Sequence, residues 1–214
     1  MLTVAFIATK GGVGKSSTSV NLATLLHEQG RAVVVVDIDP QESSADWARV
    51  RGGRPPPVIS GLPERLTDML ATAQHHNVEV VIVDTAGHAS KGAVVAASLA
   101  DIVVVPTRAS AVDMFGIRHT VDLLTTANAM DKAVAMLLVS NRKSAEIADA
   151  KQALGVVNMP YLDAMLVEAE IYKKTFKKGL AVIEQEPDGG AAGDLKAVWK
   201  AIEKRATKKE KGRG

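Results

Sequence analysis

Lys10-Gly11-Gly12-Val13-Gly14-Lys15-Ser16 is the stretch whose reading decides the fold. An apolar β-like run, Leu2 to Ala8, precedes it, and a helix-like run from Ser16 to Glu28 follows. A strand that turns through glycines into a helix gathers backbone N–H groups about one point, backed by the positive end of the helix dipole. That is an anion cradle. Gly11, Gly12 and Gly14 let the backbone come close to phosphate oxygens with no side chain in the way. Lys15 is placed to reach the terminal phosphates, and the Ser16 hydroxyl to ligate Mg²⁺. Val13 and Ser17 complete the candidate nucleotide-binding stretch. The standard pattern, G-x-x-x-x-G-K-[ST], calls for glycine at position 9, where this chain has Thr9, and this chain adds Lys10. A second lysine beside the phosphates needs negative charge that its own loop has already neutralised.

The segment KGGVGKS resembles the deviant Walker A box of the ParA/MinD family of P-loop ATPases. The resemblance implies ATP and Mg²⁺ as cofactors and a homodimer in the ATP state. It also implies a catalytic role for Lys10, which crosses the dimer interface to the nucleotide of the other subunit, beside Lys15.

Hydrophobic residues make up 47% of the 214 and aromatics only 3%, so the core must be built from Val, Ala, Leu and Ile. Such a core suits parallel strands buried by helices on both faces. Cysteine is absent, which excludes a disulfide scaffold, thiolate metal sites and the cluster of the nitrogenase iron protein. No apolar run approaches 18 residues and no basic leader precedes the first strand, so a cytoplasmic protein is expected. Net charge is only +2, but Lys196 to Gly214 carries eight basic residues against two acidic ones. Positive charge is concentrated at one end.

After the first helix, Ala32 to Val36 reads as a buried strand ending in Asp37-Ile38-Asp39-Pro40-Gln41. Alternation puts Asp37 and Asp39 on one face at the C-terminal edge of the sheet, where ligands bind in open α/β folds. Acidic residues there can equally be turn formers or helix caps. By resemblance, Asp39 positions or activates the attacking water and Asp37 supports the magnesium shell. Ser43 to Val50 is expected to be a short helix, 51–57 a loop, and Leu62 to His75 an amphipathic helix. Glu79 to Asp84 (EVVIVD) is the next buried strand, and Asp84, ending it, is placed to hold Mg²⁺ through water. Further strands are expected at 101–106 and 133–140, with helices at 93–99 and 113–127. Asn141 then arrives at the same edge; by resemblance it contacts the adenine, and the alternative is a helix-cap neighbour. Pro187 is a further candidate nucleotide contact.

Glu168 to Lys178 reads as a helix ending at Gly179, which would gather Lys173, Lys174, Lys177 and Lys178 into one stripe. The stripe is a solvated face or a contact to phosphate backbones. By resemblance to ParA-type proteins it binds DNA non-specifically, although Glu168 and Glu170 stand where many relatives carry an arginine. In the last helix, read over 194–205, Leu195, Val198, Trp199 and Ile202 form one apolar stripe.

The expectation is therefore an α/β fold: a mostly parallel twisted sheet with helices on both faces, one domain over 1–205 and a basic, disordered tail over 206–214. By resemblance the function is that of a partition or positioning ATPase without an N-terminal helix-turn-helix domain. It would be nucleoid-associated and released from DNA when an adaptor protein stimulates hydrolysis. Its cargo would be a plasmid, a chromosome or a protein body such as the carboxysome. A MinD-like membrane regulator and a ligase of the dethiobiotin-synthetase kind are the alternatives.

Overall fold

The apolar runs become the strands of one sheet. The computed structural model describes residues 1–143 and 145–211, and the side chains of these except at 111–115 and 209–211. Its strands are β1 Leu2–Phe6, β2 Val33–Asp37, β3 Val58–Ser60, β4 Val80–Asp84, β5 Ile102–Arg108, β6 Ala133–Val139 and β7 Tyr161–Val167. They lie in the order β3-β2-β4-β1-β5-β6-β7, and every pairing is parallel. The helices are α1 Lys15–Glu28, α2 Ser43–Arg51, α3 Leu66–His75, α4 Lys91–Leu99, α5 Ala111–Thr126, α6 Glu146–Val156, α7 Glu170–Phe176, α8 Val182–Gln185 and α9 Gly190–Lys211. Parallel neighbours need crossovers, so all strand C-termini meet at one edge of the sheet.

Both faces of the sheet are covered, which is why its central strands read as unbroken apolar runs. Val4 and Phe6 pack with Leu22, Leu25 and Leu26 of α1 and with Leu195, Val198, Trp199 and Ile202 of α9. Ala5 and Ile7 point the other way, into a cluster with residues of α3, α4, α5 and α6. The apolar stripe of α9 is therefore core, and those side chains are not available as a membrane-binding face. No helix among the described residues is long and apolar enough to cross a membrane.

Four expectations need correction. Strands β3 and β7 and helices α6 and α8 were not anticipated. β3 has three residues on the sheet edge, and β7 buries mainly alternate residues, Leu162 and Leu166, so neither is a continuous apolar run. Helix α7 ends at Phe176, leaving Lys177 and Lys178 in the turn before Gly179, whose φ is +62°. The lysines thus do not form one helical stripe. Helix α9 starts at Gly190 and runs to Lys211, past the boundary expected at Arg205. Ala206 packs on the core and the Thr207 hydroxyl donates to the Glu203 carbonyl, in a run of good helix formers. Of the tail read as disordered, residues 206–211 are helical, and 212–214 lie outside the described residues.

A buried ion pair joins the end of α2 to α8. The Arg51 guanidinium, 2% exposed, donates to both Glu184 oxygens at 2.8 and 2.9 Å and to the Gly179 and Pro55 carbonyls. It also stacks over Trp47, whose indole N–H donates to the Leu180 carbonyl. Burial raises the Glu184 carboxyl and the Arg51 hydrogen bonds pull it down, leaving it below its ordinary value. Removing one member of a buried pair strands the other, which costs about 3–5 kcal/mol. Arg51→Met is expected to lower the unfolding free energy by about 3 kcal/mol in urea titrations, the low end because Glu184 is not wholly buried. Arg54→Met, at a half-exposed arginine 4.0 Å from the same carboxylate, should cost under about 1 kcal/mol. Equal losses would show that burial of the Arg51 pair is not what holds α2 to α8.

Candidate functional site

The loop after β1 is built as the sequence reading requires. Gly12 and Gly14 have φ of +74° and +81°, values that favour glycine. Gly14 is the residue before α1, no side chain caps that helix, and its first turn carries no acid. The leading N–H groups of α1 are thus left for an anion. Thr9 stands where the standard pattern has glycine, and it has its own work. Its amide and hydroxyl bond to the Thr120 hydroxyl at 3.2 and 3.0 Å, tying the loop to α5.

A cleft of about 870 Å³ opens over this loop. Gly11, Gly12, Gly14, Lys15, Ser16 and Ser17 line one end, with Asp39 and Gly87 beside them. Val13 is buried beneath the loop and lines nothing. Lys15 is buried, and burial pushes its ammonium below the ordinary lysine value, opposed by the charges of Asp84 and Asp39. Gly87 has no room for a side chain. An added Cβ would stand 2.9 Å from Gly11 Cα and 3.3 Å from Lys15 Nζ.

Asp37 and Asp84 are register neighbours on β2 and β4, yet they do different things. Asp37 Oδ1 accepts the Asp39 amide and Oδ2 the Ala45 amide, both at 3.0 Å. Both oxygens of Asp37 are engaged by backbone, and the side chain does not line the cleft. These contacts make Asp37 a turn former and an anchor for the start of α2. Asp84 is wholly buried. Like Asp37 it does not line the cleft; its Oδ2 accepts the Ser44 hydroxyl at 2.7 Å, and its Oδ1 has no hydrogen-bond partner among the described residues. Burial above all raises its carboxyl to about 7; the Asp37 charge adds to this, while Ser16, Ser44 and Lys15 oppose it. Asp39 is half-buried at the cleft, with Oδ1 accepting the Gln41 amide at 2.9 Å.

Among the described residues no three His, Asp or Glu side chains come together as a metal cage. The donor set instead is one hydroxyl, Ser16, and one carboxylate with an unsatisfied oxygen, Asp84. That set suits Mg²⁺, which keeps several waters and shares phosphate oxygens.

The other end of the cleft is lined by Leu138, Leu166, Tyr172, Phe176, Lys173 and Lys177. The four candidate DNA lysines are all exposed, but Lys174 and Lys178 lie outside this lining. Glu168 pairs with Arg108 across the ends of β7 and β5, Nε to Oε1 2.5 Å. Asn141 and Pro187 also lie outside the lining. Asn141 is exposed and its side-chain oxygen accepts the Lys143 amide, a local turn contact. The Pro187 carbonyl accepts the Lys196 ammonium at 3.1 Å. Sequence reasoning missed Ser44, Thr120, Arg108 and the Arg51–Glu184 pair. Each meets its partner at long range, and no local pattern marks it.

Residues 4–182 match the family described as the CobQ/CobB/MinD/ParA nucleotide binding domain. The chain is 32% identical over 188 residues to protein ParA of Rhizobium radiobacter, covering 84% of each. It is 28% identical to the maintenance of carboxysome distribution protein A of Gloeobacter kilaueensis, covering 85% of this chain and 83% of that one. Among solved structures, apo McdA of Cyanothece superposes with a TM-score of 0.74 at 17% identity, covering 94% of this chain and 99% of that one. The cell-division protein MinD of Aquifex aeolicus superposes with 0.73 at 15% identity, covering 95% and 96%. The parallel sheet and helix order are thus those of ParA/MinD-type structures.

The raised Asp84 carboxyl makes the free protein sensitive to pH. An acid whose folded value lies above its unfolded one holds more protons when folded, so stability falls as pH rises between the two values. Between pH 5 and 7 the nucleotide-free, metal-free protein is expected to lose unfolding free energy, by at most about 1.4 kcal/mol per pH unit from this group. In Asp84→Asn the slope over that window should flatten. Urea titrations at each pH measure it, and an unchanged slope would remove Asp84 as the cause.

Proposed function

Because the chain belongs to the CobQ/CobB/MinD/ParA family of nucleotide-binding domains, we propose that it is an Mg²⁺-dependent ATPase of the partition or positioning kind. The observation that carries the reading is the cradle itself: a buried Lys15 and the uncapped start of α1, with Lys10 where the standard phosphate loop has none. Gly11 to Ser16 hold the β- and γ-phosphates, and Lys15 neutralises the terminal one. Bound Mg²⁺ supplies further charge neutralisation, with Ser16 and Asp84 as its protein side. Asp39, at the cleft with one oxygen left over from its turn, orients the attacking water.

Within one subunit, two lysines at the same phosphates would repel each other. Set across a two-fold axis, each Lys10 meets the partner's triphosphate, whose charge offsets burial of the ammonium. The ATP dimer binds DNA without sequence preference, and hydrolysis, stimulated by an adaptor on the cargo, releases it. The relatives named ParA and maintenance of carboxysome distribution protein support partition or carboxysome positioning as the task.

Lys10→Ala is expected to keep ATP binding as a monomer and to lose ATP-dependent dimerisation and stimulated hydrolysis together. Light scattering after size exclusion, with ATP and with ADP, measures the first; an ATP dimer of Lys10→Ala would sink the trans role.

A second expectation concerns DNA. The ATP form should bind duplex DNA with a log–log salt slope of about −3.6, from ~0.9 for each of about four phosphates. Lys174→Gln with Lys178→Gln should halve that slope and leave nucleotide affinity unchanged. Lys173→Gln with Lys177→Gln should weaken both, since these two also line the cleft. Fluorescence anisotropy across a salt series measures the slope, and a slope untouched by all four changes would move the DNA footprint elsewhere.

A further inference from the structure

Ser44 belongs to no motif, yet it bonds to the buried carboxylate that ends β4. It is the second residue of α2 and is fully buried. Its hydroxyl donates to Asp84 Oδ2 at 2.7 Å, while the buried Oδ1 of the same carboxylate has no partner. The terminal torsion of an aspartate is broad, so the plane of its carboxylate is set by what bonds to it. With Oδ2 held, Oδ1 is the oxygen left to accept a bond from an incoming group. Ser44 is itself held in place. The amide of the next residue, Ala45, donates to Asp37 Oδ2 at 3.0 Å, and Asp37 sits beside Asp84 in the sheet register.

We propose that Ser44 is a positioning residue of the metal–phosphate site, fixing through Oδ2 which oxygen of Asp84 faces the metal. The inference rests on reading the cleft as an Mg²⁺–ATP site. Partners that orient metal-bound carboxylates are worth about 10–100-fold in metal affinity. A serine that merely filled space would change nucleotide binding with and without metal alike.

The test uses a fluorescent non-hydrolysable ATP analogue bound to the full-length chain, with Mg²⁺ titrated in after EDTA treatment. Ser44→Ala is expected to raise the Mg²⁺ needed for half-maximal binding by about 10-fold or more, leaving metal-free affinity as in the wild type. Ser44→Cys keeps the volume with a weaker donor and should fall between the two. In an Asp84→Asn background, Ser44→Ala should add no further shift, because the two act as one unit. An unchanged Mg²⁺ requirement in Ser44→Ala, or an equal loss with and without metal, overturns the proposal and leaves the nucleotide reading standing. A wild-type protein whose binding ignored Mg²⁺ would instead overturn the Mg²⁺–ATP reading, and this proposal with it.

Discussion

One buried ammonium lines the cleft, one buried carboxylate ends β4 within its electrostatic reach, and neither fully balances the other. Lys15 is held below its ordinary value by burial, and Asp84 is raised to about 7 by the same cause. Each helps the other only in part. Taking a charge out of water costs free energy that neighbouring opposite charges here return only in part. An anion suits Lys15 and the uncapped start of α1, and a cation or donor suits Asp84 Oδ1. The close contacts around the loop hold this opening fixed. Gly87 lies against Gly11 with no space for a side chain, and Thr9 is bound to Thr120.

That opening exists because the strands are parallel. Every strand delivers its last residue to one edge, so Phe6, Asp37 and Asp84 end side by side in β1, β2 and β4. The Thr85 hydroxyl donates to the Phe6 carbonyl at 2.8 Å and locks the two central strands where they leave the sheet. The two apolar clusters on either face fix these strands, and the loop contacts act on ends that the core has already placed.

The central part of this was legible in the sequence, for a physical reason. A strand buried on both faces must be apolar throughout, so β1, β2, β4, β5 and β6 announce themselves. The glycine-rich turn is legible because positive φ and close approach demand glycine at Gly12 and Gly14. Edge strands bury one face or less, and β3 and β7 were invisible on that account. Asp37 shows the other limit. Alternation placed it correctly at the edge beside Asp84, but which backbone amides its carboxylate accepts depends on where residues 39–45 fold back. That path is a tertiary fact. Ser44 and Arg51 were hidden for the same reason, since their partners lie 40 and 133 residues away.

Helix α2 shows what these hidden contacts accomplish together. At its start, Asp37 accepts the Ala45 amide and Ser44 bonds to Asp84. At its end, Arg51 is buried against Glu184 and the Gly179 carbonyl, with an added Cβ on Gly179 falling 2.5 Å from the Arg51 amide. A nine-residue helix fixed at both ends cannot slide without breaking a buried hydrogen bond or stranding a buried charge. The segment from Asp39 to Glu42 therefore spans two anchored points, the end of β2 and the start of α2. Within it Asp39 is tied by one oxygen, to the Gln41 amide two residues away. Glu42 takes a φ of +50°, uncommon for a residue with a side chain, and is held by Ser60 and Arg49. Strain and support are thus placed at the end of the segment next to α2. The Asp39 carboxylate at the cleft thus stands on a backbone fixed from both sides, with only Oδ1 engaged by the turn.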